Sequence, residues 1–206
     1  MSPGPAKGAP ATDVTGDVTR PMRSDARRNR ERIVAAAGAI FATGAADVPL
    51  EEIARRAGVG IGTFYRNFET RDQLLEAVYR QRVDALCDNA PRLLAEREPI
   101  DALKGFLERL VAFSAETQGI APALRAIMST DSSAFDQGRV RMMGAIASLL
   151  AAATEHAAIR RDVGAEDILR IMGGICADPG RTGWQEQSFR LVDLIIDGLR
   201  YPARAS

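Results

Sequence analysis

A short stretch after Gly60 combines two apolar anchors with polar side chains suited to DNA. Phe64 and Phe68 are four residues apart, so they share one face of a helix. The side chains around them are polar and fall on other faces, namely Thr63, Tyr65, Arg66 and Asn67. An α-helix enters the major groove when one face anchors it to the protein and another offers hydrogen bonds to phosphates and base edges. The spacing therefore predicts a recognition helix.

The recognition helix needs two further helices to hold it in place. Pro49 suits the first position of a short helix whose apolar face ends at a turn that begins with Gly58. A longer first helix is predicted from Ser24, its N-cap, to a stop at Gly44. Two short helices that are joined by a glycine turn and packed on a first helix describe a helix-turn-helix, here residues 24–70. An ordinary helical hairpin with solvated arginines is the alternative.

Positive charge is concentrated in this N-terminal module. The whole chain carries 27 Lys and Arg against 27 Asp and Glu, so no global field attracts a polyanion. Residues 20–68 nevertheless hold nine Arg against five acidic residues. Residues 1–23 are predicted to form a disordered tail or basic arm, whose Arg20 and Arg23 would lie in an adjacent minor groove of DNA. A solvated tail without a DNA contact is the alternative.

The rest of the chain has helical periodicity throughout. Thr70 and Gln73 have the spacing of a capping box at the start of a fourth helix, which is expected to continue past Cys87 toward Pro91. Five more periodic apolar stretches follow, and no alternating strand pattern competes with them. The predicted fold is all-α with about nine helices, a helical C-terminal domain over residues 71–206, and a fourth helix that bridges the two domains.

Residue types that serve catalysis or metal binding are scarce. The chain has one histidine, His156, and two cysteines, Cys87 and Cys176, which lie far apart in apolar stretches. No metal-ligand spacing and no glycine-rich phosphate loop after a strand occurs, so no cofactor and no metal site is predicted. No apolar run is long enough for a membrane span. We expect a cytoplasmic protein with reduced thiols and without a membrane partner.

The helix-turn-helix segment reads Pro49-Leu-Glu-Glu-Ile-Ala-Arg-Arg-Ala-Gly-Val-Gly-Ile-Gly-Thr-Phe-Tyr-Arg-Asn-Phe68 and continues with Thr70-Arg-Asp-Gln-Leu-Leu75. This run resembles the TetR-type (TetR/AcrR) transcriptional regulators. The rest of the chain is similar in length and helix count to the ligand-binding and dimerisation domains of that family. The resemblance implies a homodimer that binds a near-palindromic double-stranded DNA operator, usually as a repressor, until a small-molecule effector occupies the C-terminal domain.

The resemblance also assigns roles to individual positions. Thr63, Tyr65 and Asn67 match phosphate-contacting and base-contacting positions of the family, and Arg71 matches the basic residue that opens the fourth helix. The complete set of expected DNA-binding residues is Gly60, Ile61, Gly62, Thr63, Tyr65, Arg66, Asn67, Thr70 and Arg71.

Several of these positions leave the operator sequence open. Ile61 falls where it could touch a thymine methyl group, and Gly62 permits close approach of its backbone. Arg66 is suited either to a guanine or to a phosphate. Gly60 replaces the Ser or Thr of many members and Asn67 replaces their His, so the operator of a relative cannot be transferred to this chain.

Candidate ligand-binding residues in the C-terminal domain are apolar, aromatic or polar side chains on periodic stretches. They are Phe106, Phe113, Arg125, Met128, Met142, Met143 and Trp184, with Gln118 and His156 as further polar candidates. Each of these side chains is also compatible with ordinary core packing.

The last two helices are strongly apolar, and the resemblance places a four-helix dimer interface there. The expected interface residues are Ile168, Ile171, Met172, Ile175, Val192, Ile195, Ile196 and Leu199. Gly173 and Gly174 would allow close helix approach. Closure of the protomer's own core is the alternative.

Three functions remain open from the sequence. The first is a DNA-binding, ligand-responsive regulator, and the second is a DNA-binding architectural or partner-binding protein that needs no ligand. The third, an enzyme using the helical cavity, lacks any recognisable set of nucleophile, base and orienting residue.

Overall fold

A computed structural model describes residues 19–45, 47–156 and 159–201, with side chains from Ser24 onward. Over these ranges the chain is all-helical, as predicted, with ten α-helices and one 3₁₀ turn. The helices are α1 (Thr19–Ala42), α2 (Leu50–Ala57), α3 (Ile61–Asn67), α4 (Arg71–Cys87), α5 (Ala90–Glu96), α6 (Pro99–Thr117), α7 (Ala121–Thr130), α8 (Ser133–Glu155), α9 (Ala165–Ile175) and α10 (Trp184–Arg200), and the 3₁₀ turn is Gln118–Ile120.

The N-terminal domain is built by α1, α2 and α3, as the sequence predicted. Gly58 ends α2 in the left-handed conformation (φ 64°), and its N–H returns to carbonyl groups of the last turn. Pro49 is the N-cap of α2 rather than its first helical residue. Phe64 and Phe68 are both 0% exposed, so the two predicted anchors of α3 are confirmed as core residues.

The start of α1 was predicted wrongly. The helix begins at Thr19, so Ser24 lies inside it rather than at its N-cap. Arg20 and Arg23 accordingly belong to the helix and not to a flexible arm. The reason is that the arginine-rich run before Ser24 contains no further helix breaker after Pro21, and proline is tolerated in the first turn. The predicted disorder of residues 1–18 concerns a segment outside the described residues.

The fourth helix is shorter than the sequence suggested. It ends at Cys87, and a separate helix, α5, begins at Ala90 with Pro91 in its first turn. Proline lacks the N–H that a continuous helix would need at this point, but it fits the start of a new helix. This break gives ten helices over the described residues where about nine were expected.

Two buried clusters hold the molecule together, and the boundary between them does not follow the predicted domain boundary. The cluster of the helix-turn-helix includes the buried face of α4 and also takes in Ile120, Leu124, Ile127 and Phe135 from the C-terminal half. The beginning of α8 and one side of α7 therefore complete the hydrophobic core of the N-terminal domain.

The second cluster is organised around α6, which packs against α5, α8 and α10. Leu103, Phe106 and Leu107 on α6 are fully buried there. Helix α4 contacts α1 as well as helices of the C-terminal half, so α4 is packed against both domains. Among the described helices, none combines the length and the apolar character needed to cross a membrane.

Candidate nucleic-acid interface and ligand cavity

Helix α3 presents one face to the protein and the other to solvent. Phe64 is fully buried, whereas Ile61 is 41% exposed and Tyr65 is 44% exposed. The exposed apolar and aromatic side chains on a polar helix are therefore available to a partner. This is the geometry that a helix needs if it is to enter a DNA groove while remaining anchored.

The polar side chains of α3 are oriented by hydrogen bonds within the helix. Arg66 Nη2 donates to the hydroxyl of Thr63 over 3.0 Å, and Asn67 Nδ2 donates to the Thr63 carbonyl over 2.8 Å. Arg66 is solvent-exposed and retains further donors, because a guanidinium carries five N–H groups. The roles of these side chains toward DNA stay predictions. Their hydrogen bonds within α3 limit their rotamers, so less side-chain freedom would be lost when DNA binds.

The two glycines of this segment face open space. A Cβ atom added to Gly60 or Gly62 would have no other atom of the protein within 4 Å, chain neighbours and the helix's own backbone aside. The protein fold therefore does not require a glycine at either position. A close approach of another molecule to the Gly62 backbone would give a reason for its small size.

Two arginines of α1 brace the helix-turn-helix. Arg32 Nη2 donates to the carbonyl of Gly58 over 3.0 Å, and Arg30 Nη1 donates to the carbonyl of Asn67 over 3.0 Å. The Arg30 guanidinium also lies 4.2 Å from the centre of the Phe68 ring, a cation–π contact. These arginines thus cap the C-terminal ends of α2 and α3. Sequence reasoning, which saw only a positively charged cluster, missed this structural role.

The N-terminus of α4 follows α3 in the chain and is well capped. The Thr70 hydroxyl accepts a hydrogen bond from the Gln73 N–H over 3.2 Å, as the capping box predicts. The Gln73 side chain accepts from the N–H of Glu69 rather than from that of Thr70. Arg71 donates to the carbonyl of Val48, which ties α4 to the segment before α2. A phosphate contact by Thr70 or Arg71 stays a prediction.

The C-terminal half contains a cavity of about 420 Å³, within the usual range for a small-molecule site. Four helices contribute residues at helical spacing: α6 from Leu110 to Thr117, α7 from Ala121 to Met128, α8 from Phe135 to Met142, and α9 with its C-cap from Leu169 to Cys176. One further wall is Tyr79 of α4, whose ring packs on both Phe113 and Phe135.

Four of the seven predicted pocket residues line this cavity, namely Phe113, Arg125, Met128 and Met142. The other three lie elsewhere. Phe106 is fully buried in the second cluster, Met143 is half-buried outside the cavity, and Trp184 faces a separate groove where its indole N–H donates to the Ile175 carbonyl over 2.7 Å. Neighbouring residues of a helix point to different faces, so two residues adjacent in sequence need not line the same cavity.

The two other polar candidates are also displaced from the cavity. His156 is the C-cap of α8, with its Nδ1 2.8 Å from the Ala152 carbonyl. Gln118 packs against Gly180, where a Cβ atom would lie 2.5 Å from Gln118 Nε2. Neither residue lines the cavity.

Sequence reasoning missed much of the cavity wall. The residues it did not name as ligand candidates are Tyr79, Leu110, Ser114, Thr117, Ala121, Leu124, Phe135, Asp136, Arg139, Leu169, Met172, Gly173 and Cys176. Their i, i+3, i+4, i+7 spacing on each helix was visible in the sequence. The same spacing describes any buried helix face, so it could not separate a cavity wall from a packed core.

Most polar groups of the cavity already have a partner. The Thr117 hydroxyl donates to the Phe113 carbonyl over 2.8 Å, and the Ser114 hydroxyl donates to the Cys176 carbonyl over 3.2 Å. Burial raises the pKa of the Cys176 thiol and that of the Tyr79 hydroxyl, because a low-polarity environment disfavours the charged form. Both groups are therefore neutral near pH 7.

One arginine joins the two domains through α4. Arg82 Nη1 donates to the carbonyl of Glu116 in the last turn of α6 over 2.9 Å, and Arg82 Nη2 donates to the carbonyl of Gly38 on α1 over 2.8 Å. Partial burial lowers the pKa of Arg82 below its usual value. The end of α6 that lines the cavity at Thr117 is thus tied to the first helix of the helix-turn-helix.

The predicted dimer residues divide into two groups. Ile168, Met172, Val192, Ile196 and Leu199 are each at most 3% exposed in one protomer, so they belong to its own core. The outward face instead carries Ile171, which is 47% exposed, the half-buried Ile175 and Ile195, and Leu194, which is 65% exposed and was not predicted. An added Cβ atom at Gly173 or Gly174 would have no atom of the protomer within 4 Å, chain neighbours and the helix's own backbone aside, and the close helix approach expected of them across a dimer interface stays a prediction.

Comparison with known proteins places both halves of the chain in one group. A family model described as "Bacterial regulatory proteins, tetR family" matches residues 33–78, and one described as "Transcriptional regulator SbtR-like, C-terminal domain" matches residues 98–201. Among curated proteins, HTH-type transcriptional regulators of Staphylococcus aureus are 25% identical over 107 residues. That match covers 51% of this chain and 58% of the length of those regulators.

Solved structures extend the likeness to nearly the whole fold. A TetR transcriptional regulator from Streptomyces coelicolor is 40% identical, with a TM-score of 0.70 over 83% of this chain and 98% of that one. A TetR transcription regulatory protein from Mycobacterium vanbaalenii is 35% identical, with a TM-score of 0.68 over 88% of this chain and 100% of that one. RolR in complex with resorcinol shares the fold at 18% identity, with a TM-score of 0.58 over 84% of this chain and 89% of that one. The relatives from Staphylococcus aureus, Streptomyces coelicolor and Mycobacterium vanbaalenii are transcriptional regulators, which are not enzymes.

Proposed function

The chain belongs to the TetR family of bacterial transcriptional regulators, and on that premise we propose that it is a ligand-responsive repressor. In this proposal two protomers bind a near-palindromic operator, each inserting α3 into a major groove, and a small molecule in the cavity releases the DNA. The protein would act in the cytoplasm, where bacterial DNA lies.

The recognition part of the proposal rests on the exposed face of α3. Ile61, Tyr65 and Arg66 point to solvent while Phe64 and Phe68 are fully buried. In a repressor of this type, Tyr65 and Arg71 hold phosphates, and Ile61 and Gly62 approach base edges. These assignments carry over the family's pattern position by position.

The observation that carries ligand control is the position of α7 between the cavity and the DNA-binding core. Leu124 lines the cavity and is also part of the helix-turn-helix cluster, and Ile127 on the same helix is buried in that cluster. A ligand that displaces α7 therefore changes the packing of the buried cluster that α7 shares with α1 and α4. Coupling of this kind is worth about 1–3 kcal/mol, enough to change operator affinity by about 5-fold to 150-fold.

The two hydrogen bonds of Arg82 also support control of DNA binding by a ligand in the cavity. Its guanidinium spans from the cavity end of α6 to α1, so a shift of either helix breaks one of the two hydrogen bonds. A ligand-independent architectural protein gives no reason for a cavity beside this link. We therefore favour the ligand-responsive regulator over that alternative.

The proposed dimer uses the outward face of α9 and α10. Leu194 and Ile171 are exposed there, beside a groove of about 420 Å³ that also includes Ile195 and Gly198. Exposed aliphatic side chains of this size are costly to leave in water, and a second copy with the same face would bury them symmetrically.

The test is a mobility shift with DNA that flanks the chain's own coding sequence. The full chain should form a specific complex, and Tyr65→Ala should weaken it while Tyr201→Ala, a change at an exposed tyrosine of the C-terminal half, should not. Each lost phosphate contact should reduce the slope of log K against log salt by about 0.9. A Tyr65→Ala protein that binds the same DNA with unchanged affinity and unchanged salt slope would contradict the proposed recognition mode.

A further inference from the structure

Three charged side chains lie at the mouth of the cavity, and they differ in whether they have a partner within the protein. Exposed residues lie on both sides of it: Arg125 and Met128 on α7, and Asp136 and Arg139 on α8. The interior is apolar and partly aromatic, with the Tyr79 and Phe135 rings 4.8 Å apart between centres. The site is therefore built for a molecule with an apolar body and a polar end near solvent.

Two of the three charged residues at the mouth already have partners. Arg139 donates to Glu166 over 3.2 Å, which ties α8 to α9. The Asp136 carboxylate accepts a hydrogen bond from the Ser132 hydroxyl over 2.8 Å and lies in the first turn of α8, where the helix dipole favours a negative charge. Neither group needs a ligand to complete its interactions.

Arg125 differs from both. No hydrogen bond, ion pair or ring contact joins it to any other residue in the described part of the chain. Its neighbours along the cavity face of α7 are Ala121, Leu124 and Met128, which are apolar. A guanidinium that lines an apolar cavity and offers five free donors is suited to a carboxylate or another planar or tetrahedral anion.

We propose that the effector is an amphipathic anion, with an apolar body of aromatic or aliphatic groups in the cavity and a single acidic group bound by Arg125. This inference deepens the proposed function, because it names the ligand class of the same cavity. The hydroxyl of Tyr79, which forms no hydrogen bond among the described residues, lies on the α4 side as a second polar group for the body of the ligand.

The test uses two fluorescent dyes with one skeleton and different charge. The anionic probe is 8-anilinonaphthalene-1-sulfonate, and the neutral probe is N-phenyl-1-naphthylamine, which lacks the sulfonate. Dissociation constants are measured by fluorescence titration of the full chain and of Arg125→Gln. The matched control is Arg92→Gln on α5, an exposed arginine that pairs with Glu96 and does not line the cavity.

Arg125→Gln should weaken binding of the sulfonate about 10-fold, as expected for loss of a charge-assisted hydrogen bond, and leave the neutral dye unchanged. Arg92→Gln should change neither dissociation constant. Decanoate should displace the sulfonate dye from the wild type, and Arg125→Gln should need about 10-fold more decanoate for the same effect. Decanol, which lacks the charge, should compete equally with both proteins.

A cavity-filling variant locates the dyes. A Cβ atom at Gly173 would meet no other atom within 4 Å, and this residue lines the cavity, so Gly173→Phe should abolish binding of both dyes without disturbing the helix. Sulfonate binding that survives Gly173→Phe, or that is insensitive to Arg125→Gln, overturns the proposal. Dye binding that changes in Asp136→Asn but not in Arg125→Gln would point to a cationic ligand and would also overturn the proposal.

These outcomes are separable from failure of the proposed function, because the dye titrations contain no DNA. If decanoate binds through Arg125 but leaves the operator complex intact, the anion site stands and ligand-controlled repression fails. If a neutral compound releases the operator while Arg125→Gln has no effect on any dye, repression stands and the anionic ligand class fails.

Discussion

Gly119 lies so close to Gly44 that a Cβ atom on Gly119 would stand 2.6 Å from the Cα atom of Gly44. Gly44 ends the first helix of the DNA-binding domain with a φ of 81°, and Gly119 is the middle residue of the 3₁₀ turn that follows α6. The two domains therefore meet backbone to backbone at this point, directly after the part of α6 that lines the cavity of the C-terminal half. A contact without side chains leaves little room for adjustment, so a shift of one segment must move the other.

The first prediction follows from this contact. Gly119→Ala should destabilise the protein by about 1–3 kcal/mol, because the new methyl group meets backbone rather than a flexible side chain. Chemical denaturation measures the loss. Gly144→Ala on α8 is the control, since a Cβ atom there has open space. If both variants unfold at the same denaturant concentration as the wild type, the close contact does not exist in solution.

The second prediction concerns Gly62 on the recognition helix. Gly62→Leu should leave the folded protein intact, because open space surrounds the position, but it should abolish specific DNA binding by keeping the α3 backbone away from the groove. Circular dichroism and a mobility shift are the two measurements. Gly144→Leu provides the same substitution at another glycine with open space. Retained operator binding by Gly62→Leu would show that this backbone does not approach DNA closely.

The third prediction tests the anchor of α3. Phe64→Ala should lower the free energy of unfolding by about 3–5 kcal/mol, since the ring is 0% exposed and its removal leaves a cavity. Operator binding should be lost as the helix loosens. Because the same core includes Leu124 and Ile127, the damage should also reach α7 and lower dye affinity in the ligand cavity. Phe189→Ala, at a half-buried ring of α10, should cost less. Wild-type melting of Phe64→Ala would contradict the anchoring role.

The fourth prediction concerns the bridge made by Arg82. Arg82→Gln should lower the free energy of unfolding by about 1–3 kcal/mol, because carbonyl groups of α1 and α6 lose their charged donor. It should also make operator affinity less sensitive to an effector, which a mobility shift in the presence of decanoate measures. The control is Arg80→Gln, at an exposed position of the same helix. Equal stability of the two variants would argue that the bridge contributes nothing.

The fifth prediction is a pH effect at Glu52 of α2. Hydrogen bonds from Arg55 and Arg56 lower the pKa of this carboxyl to about 2, from an ordinary value of 4.5. Since the folded value is below the unfolded one, these ion pairs contribute stability above about pH 4.5, and the contribution is lost as the pH falls toward 2.

An NMR titration of the side-chain carboxyl measures this shift directly. In a protein carrying both Arg55→Gln and Arg56→Gln, the pKa of Glu52 should return toward 4.5. A pKa of Glu52 that is the same in this variant and in the wild type would show that neither arginine lowers it.

The sequence by itself determined the local architecture of the DNA-binding domain. The anchoring phenylalanines of α3, the stop of α2 at Gly58 and the cap of α4 at Thr70 were all predicted from residue spacing. These features depend on contacts between residues close in sequence, such as an i, i+4 pair, a left-handed glycine and a side chain that accepts a backbone N–H. Local rules therefore suffice for them.

Only the tertiary structure decided which face of each C-terminal helix meets the cavity, the core or solvent. Ile168 and Ile171 are one turn apart, yet the first is buried in the protomer and the second is exposed. Phe106 and Phe113 are both aromatic residues of α6, and only the second lines the cavity. Apolar spacing marks a buried face but carries no information on what covers it, because dispersion and the hydrophobic effect do not distinguish one apolar neighbour from another. The packing of helices that are distant in sequence decides whether a given apolar face meets the cavity, the core or solvent.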